Sequence, residues 1–337
     1  MEIRHCVTLP ISEKGQVPEA RRHALGLAQS VGLSEADESN VAIIVTEAAN
    51  NLAKHSEGGE LLLSSLKCNT SVGIEVLALD RGPGMNNVEQ CLQDGYSSGS
   101  SMGAGMGALQ RISQLFDVYS VPGLGSALLS RYWSHPGPEC RSAFGWDVGA
   151  VCIPLHGESV CGDKWGIRNT RNCAMIMLAD ALGHGQHAAE ASQAAIEVFV
   201  ESPKLMPSEM IEATHVALRH TRGAAVAVTE VDLLSRTVNF AGVGNISSAV
   251  VCGDKVKNMV SHSGIVGAEI RKIQEFSYLW PEYGILVMHS DGLKSRWDLN
   301  RYPGILKKHP ALIAGVLYRD YCRDTDDVTV VVVRTKG

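Results

Sequence analysis

Two prolines flank a glycine in Ser134-His135-Pro136-Gly137-Pro138-Glu139-Cys140, and this stretch constrains the chain more than any other feature. Proline fixes φ and removes a backbone donor, so neither a helix nor a strand runs through it. Apolar patterning resumes on both sides. The break therefore predicts two domains, 1–135 and 141–337, joined by a linker at 136–140. At 337 residues, each part is long enough to bury its own core. A 45% hydrophobic and 20% charged composition excludes wholesale disorder. A net charge of -6 leaves no electrostatic footprint for nucleic acid. The opening MEIRHCVTLPISEKG lacks the apolar core of a signal peptide, and no apolar run approaches the length of a bilayer span. The nine cysteines are an odd number with no CxxC pair, which points to free thiols in a reducing compartment. A cytoplasmic protein without nucleic-acid or membrane partners is the expectation.

In the first part, Pro18 can open a helix that Gly32 closes. Ser34-Glu35-Ala36-Asp37 caps a second helix carrying VAIIVTEAANNLAKH. ELLLSSL and VGIEVLALD read as paired strands, and FDVYSV with SALLSRYW as a closing hairpin across Pro122-Gly123-Leu124-Gly125. Helices with largely antiparallel strands predict a two-layer α/β sandwich. The second part is richer in strands: WDVGAVCIP, CAMIMLAD, GAAVAVTEVD, TVNFAGVG, SSAVVC, GILVMHSD and VTVVVVR. Two helical stretches, His187 to Glu201 and Ser208 to His220, sit between the second and third of these, so two packed sheets flanked by helices are expected.

Glu47 and Asn51 lie four apart on the second helix and share a face, with His55 one turn further. Alone, such a stripe reads better as a solvated flank. Asp80-Arg81-Gly82-Pro83-Gly84 then follows an apolar strand. A carboxylate there can accept the exocyclic amine of adenine, and the glycines let the base approach the backbone. Gly103-Ala104-Gly105-Met106-Gly107 runs into a helix whose first N–H groups can cradle phosphate. A dinucleotide fingerprint would need a strand just upstream, where Gly95-Tyr96-Ser97-Ser98-Gly99 stands instead. No GK[ST] element exists, which excludes a P-loop.

In this order the motifs resemble the GHKL ATPase and kinase superfamily over residues 15–133, and within it the anti-sigma-factor serine kinases. The resemblance implies Glu47 as general base and Asn51 as the ligand of the Mg²⁺ that accompanies ATP. It also implies Asp80, Gly82 and Gly84 at adenine, and Gly103, Gly105 and Gly107 at the phosphates.

Aspartates mark the second part in four settings: Asp163 in Cys161-Gly162-Asp163, Asp180 ending CAMIMLAD, Asp291 after GILVMHS, and the pair Asp326-Asp327 before the last strand. Each could simply cap a turn. Carboxylates delivered to a sheet rim by stiff strands are nevertheless what a hard divalent cation needs. This pattern resembles the PP2C-like (PPM) phosphatases of the SpoIIE type over residues 141–335. The resemblance implies Mg²⁺ or Mn²⁺ held by Asp163, Asp180, Asp291 and Asp326, with Asp327 the less favoured neighbour. It adds the backbone carbonyl of Ala181, where the family usually has Gly, and gives Asp180 a catalytic part. His184 and His187 invite a zinc reading, but no further ligand lies nearby in the sequence; His184 as proton donor is another reading.

The two resemblances together imply a bifunctional partner-switching regulator, a protein serine/threonine phosphatase that is also a protein-serine kinase. Its partner would be a STAS-domain anti-sigma antagonist, with a sigma factor or stressosome-like assembly beyond it. The alternative keeps the phosphatase and makes the first domain an ATP-sensing or partner-binding module.

Overall fold

The computed structural model describes residues 2–56, 58–68, 71–92, 105–135 and 145–336. The linker 136–140 and Gly103 lie outside the described residues. Two compact units emerge, one of Met1–Ser142 with Leu299–Arg319 and one of Ala143–Asp298 with Asp320–Gly337. Among the described residues no helix is long and apolar enough to cross a membrane.

The first unit opens with β1 (Glu2–Ile11), α1 (Val17–Ser30) and α2 (Glu35–His55). Pro18 stands in the first turn of α1, and Gly32 follows its end at φ +80°. Ser34 Oγ accepts the Asp37 N–H, which starts α2 where the capping pattern places it. The chain continues through β2 (Gly59–Cys68), β3 (Ser71–Asp80), the short α3 (Val88–Cys91), α4 (Gly105–Ile112), β4 (Leu115–Ser120) and β5 (Ser126–Trp133). One antiparallel sheet forms in the order β1-β2-β3-β5-β4. Leu61, Leu63, Ile74, Val76 and Leu128 pack with α1 and α2 on one face.

The burial of β2 and β3 is nearly continuous, not alternating, which requires cover on both faces. Cover on the second face comes from Leu299–Arg319. A Cβ on Gly315 would meet Leu79 at 3.0 Å and Leu77 at 3.8 Å. Lys308 Nζ and the His309 N–H bond the two oxygens of Asp117 at 2.9 and 2.8 Å. Arg319 Nη1 donates to the carbonyls of Asp80 and Ser126 at 2.7 and 3.4 Å. A contiguous second domain from 141 onward leaves this segment in the other half; its contacts put it with the first unit.

The second unit begins with β6 (Trp146–Ile153), β7 (Asp163–Asn169), β8 (Cys173–Ala181), α5 (Gln186–Glu201) and α6 (Pro207–Ala217). β9 (Ala224–Asp232), β10 (Thr237–Val243), β11 (Ser247–Cys252), β12 (Lys255–Asn258), β13 (Glu275–Leu279) and β14 (Ile285–His289) follow. After α7 (Pro310–Tyr321), β15 (Val328–Thr335) closes the chain. Two antiparallel sheets result, β13-β10-β9-β8-β7 and β12-β11-β14-β15-β6. Alanines and Phe199 of α5 and Met210 and Ile211 of α6 bury against β8 and β9. The fold is the expected α/β class, a β-sandwich flanked by helices.

Candidate functional site

The nucleotide motifs converge in the first unit. Glu47 and Asn51 sit one turn apart on α2, which packs against α4. Asn51 Nδ2 is buried without a hydrogen-bond partner. Amide nitrogen and oxygen interchange by rotation, so this group offers either an oxygen to a cation or a donor to a phosphate. Asp80 ends β3, and its Oδ1 accepts the N–H of Gly82 at 2.7 Å and of Ser126 at 3.3 Å. Burial raises the pKa of this carboxyl, against the pull of those two bonds and of Arg319. Gly84 adopts φ +73°, and a Cβ there would lie 2.2 Å from the Val121 carbonyl, so only glycine makes this turn. Gly105 opens α4 and Gly107 is buried within its first turn. The unmet Asn51 amide, the fixed Asp80 carboxylate and the glycine-started α4 are the kinds of group an ATP site uses.

The aspartates gather at one rim of the second unit. Asp163 opens β7 and Asp180 lies near the end of β8, and the antiparallel register pairs them directly. Directly opposed residues have Cβ atoms about 5 Å apart, and like charges there destabilise the sheet. Asp163 Oδ2 and Asp180 Oδ2 are both buried without a hydrogen-bond partner. Burial, then the charge of Asp180, raises the Asp163 carboxyl well above its usual range. Burial, then the charges of Asp291 and Asp326, pushes Asp180 up to about 7. Two unmatched oxygens held face to face fit a shared divalent cation. Among the described residues no three His, Cys, Asp or Glu side chains close into one metal-sized cluster.

Asp291 and Asp326 are brought to this rim by the pairing of Ser290 with Thr329, N–H to carbonyl at 3.0 Å and Thr329 N–H to Ser290 Oγ at 2.9 Å. Asn245 Nδ2 donates to Asp291 Oδ2 at 2.6 Å. Asp326 Oδ1 accepts the Asp327 N–H at 2.9 Å. Asp327 spends both oxygens on backbone, accepting Leu155 N–H at 2.8 Å and Gly162 N–H at 2.9 Å. It thereby tethers the loop before Asp163. Ala181 lies within β8, paired with Ala224, and is not among the residues at positive φ. Alanine therefore occupies this position without backbone strain.

His184 and His187 do not share a partner. His184 Nδ1 bonds Glu158 Oε1 at 2.6 Å, and His187 Nδ1 bonds Glu190 Oε2 at 3.3 Å. Sequence reasoning missed Glu158 and Asn245, which meet their partners across 26 and 46 residues without any motif.

Residues 11–128 match the histidine kinase-like ATPase domain family, and residues 170–336 match Stage II sporulation protein E (SpoIIE). The chain therefore carries a GHKL-type ATPase domain followed by a SpoIIE-type, PP2C-like serine/threonine phosphatase domain. Among curated relatives it is 24% identical to the serine/threonine-protein kinase RsbT of Bacillus subtilis (strain 168) over 133 residues, 40% of this chain and 98% of the relative. It is 26% identical to the phosphoserine phosphatase RsbX of the same organism over 140 residues, 41% of this chain and 69% of the relative. A solved chain described under "The bacterial stressosome: a modular system that has been adapted to control secondary messenger signaling" superposes with a TM-score of 0.53 at 26% identity, covering 56% of this chain and 99% of that one.

Proposed function

We propose that the second unit hydrolyses phosphoserine or phosphothreonine on a small protein, a STAS-type antagonist or its like, with Mg²⁺ or Mn²⁺. The observation that carries this reading is the direct pairing of Asp163 with Asp180, each with a buried, unpartnered oxygen. Asp163, Asp180, Asp291, Asp326 and the Ala181 carbonyl would hold the cations. When bound, such cations lower the pKa of water and clamp phosphoryl oxygens. Asn245 orients Asp291, and Asp327 holds the loop that presents Asp163. His184, held through Nδ1 by Glu158 Oε1, would in its imidazolium form carry the Nε2 proton that passes to the departing seryl oxygen.

The first unit, in the same reading, binds ATP·Mg²⁺ and transfers phosphate to a protein serine. Asn51 serves the cation, Asp80 the adenine amine, and Gly82 and Gly84 the approach of the base. Gly105 and Gly107 face the phosphates, and Glu47 takes the serine proton. The kinship with a protein kinase and a phosphoserine phosphatase supports opposed activities in one chain. ATP sensing without transfer is a second reading, favoured by Arg319. It grips the Asp80 carbonyl from a helix that leads on toward Asp326.

The test is purified protein with Mn²⁺ and a phosphorylated antagonist, repeated with Asp180→Asn and with Glu47→Ala. Release of phosphate from phosphoserine must be lost in the first variant. Transfer from ATP that persists unchanged in the second would remove Glu47 as the base. Phosphatase rates that follow ATP in the absence of any transfer would select the sensing reading.

A further inference from the structure

We infer that Arg222 binds the phosphate group of the substrate at the aspartate rim, an assignment that rests on the phosphatase reading of that rim. The register pairs Ala181 with Ala224, and the Leu182 N–H donates to the Gly223 carbonyl at 3.1 Å. Arg222, immediately before Gly223, therefore stands beside the turn by which the chain leaves Asp180. Gly183 takes φ +80° in that turn, and a Cβ on it would lie 2.9 Å from Arg222 Nη1. The guanidinium rests on the turn in space that only a glycine leaves open.

This arginine is exposed and, among the described residues, makes no hydrogen bond or ion pair, although acidic groups crowd the same rim. Arg323 differs, since it acts electrostatically on Asp291. A phosphoserine brings roughly 1.5 to 2 negative charges toward a ring of carboxylates, which repels it. A planar guanidinium with no carboxylate of its own pairs with two phosphate oxygens at once, and its charge never titrates away. The glycine turn gives that side chain a fixed position against the strand that delivers Asp180.

Inorganic phosphate is the probe. Its affinity for the full-length, Mn²⁺-loaded protein is measured by calorimetry for wild type, Arg222→Ala and Arg222→Lys. Phosphoserine-peptide kinetics and Mn²⁺ affinity are measured alongside. Arg222→Ala is expected to weaken phosphate binding and raise KM by roughly tenfold to a hundredfold, the scale of a lost charge-assisted pair. Arg222→Lys should recover part of the loss, because a point charge lacks the fork. Mn²⁺ affinity should stay at the wild-type value. Unchanged phosphate affinity in Arg222→Ala, no phosphate binding by wild type, or a matching fall in Mn²⁺ affinity each overturns the assignment. A wild-type protein that binds phosphate through Arg222 but releases none from phosphoserine would instead overturn the phosphatase reading.

Discussion

Asp163 and Asp180 oppose each other across β7 and β8, and this makes the second unit sensitive to pH in a definite direction. Burial and the charges of Asp291 and Asp326 carry Asp180 from its usual 3.8 to about 7. Between those values the folded chain keeps a proton that the unfolded chain has released, so stability falls as pH rises through the window. In a chelator, the melting temperature should decline from about pH 4 to about pH 7, and Asp180→Asn should make that decline shallower, with Asp163 sustaining the remainder. A flat profile would contradict the raised carboxyl. Asn245 makes a second residue-scale prediction. Asn245→Ala frees Asp291 Oδ2 and should weaken Mn²⁺ binding roughly 10–100-fold, with little change in unfolding midpoint. The acidic residues of this rim were legible in the sequence because strand ends announce them. Their supports were not, because Glu158 and Asn245 act only through distant partners.

At the scale of elements, α2 is the best-announced segment. Its cap, apolar face and polar stripe all appear in the sequence, and Ser34 bonds the Asp37 N–H as the pattern requires. Ser34→Ala should cost about 1 kcal/mol, read from the chemical unfolding midpoint. The loop before β7 depends on a tether that no local pattern reveals. Asp327→Ala would strand the N–H groups of Leu155 and Gly162 and should cost about 2–4 kcal/mol, more than Asp327→Asn, which keeps one acceptor. β7 itself escapes the sequence because DKWGIRN is an edge strand, buried at Asp163 and only half-buried beyond it, with no apolar alternation. β1 escapes for a similar reason, since a register shift between Arg4 and Val7 breaks its period.

The whole molecule uses Leu299–Arg319 outside the unit that its neighbours in sequence build. Gly315 lies against Leu79 and Leu77, so Gly315→Val should overpack that contact and destabilise the first unit by about 1–3 kcal/mol. The melting transition of the first unit measures it, and an unchanged transition would mean the segment is not part of that core. The apolar runs LLL in β2 and VLAL in β3 carried the hint, since a sheet with one wet face alternates. They say that a second cover exists without saying which segment provides it.

By itself the sequence determined the two kinds of unit, the nucleotide motifs and the aspartates, because strand period, capping and glycine turns are local properties of the chain. Only the tertiary structure decided that Asp163 faces Asp180, that Asp327 holds a loop while Asp326 faces the rim, and that Arg319 braces the strand bearing Asp80. Those pairings depend on register and on contacts between residues far apart in the chain, which no local pattern encodes.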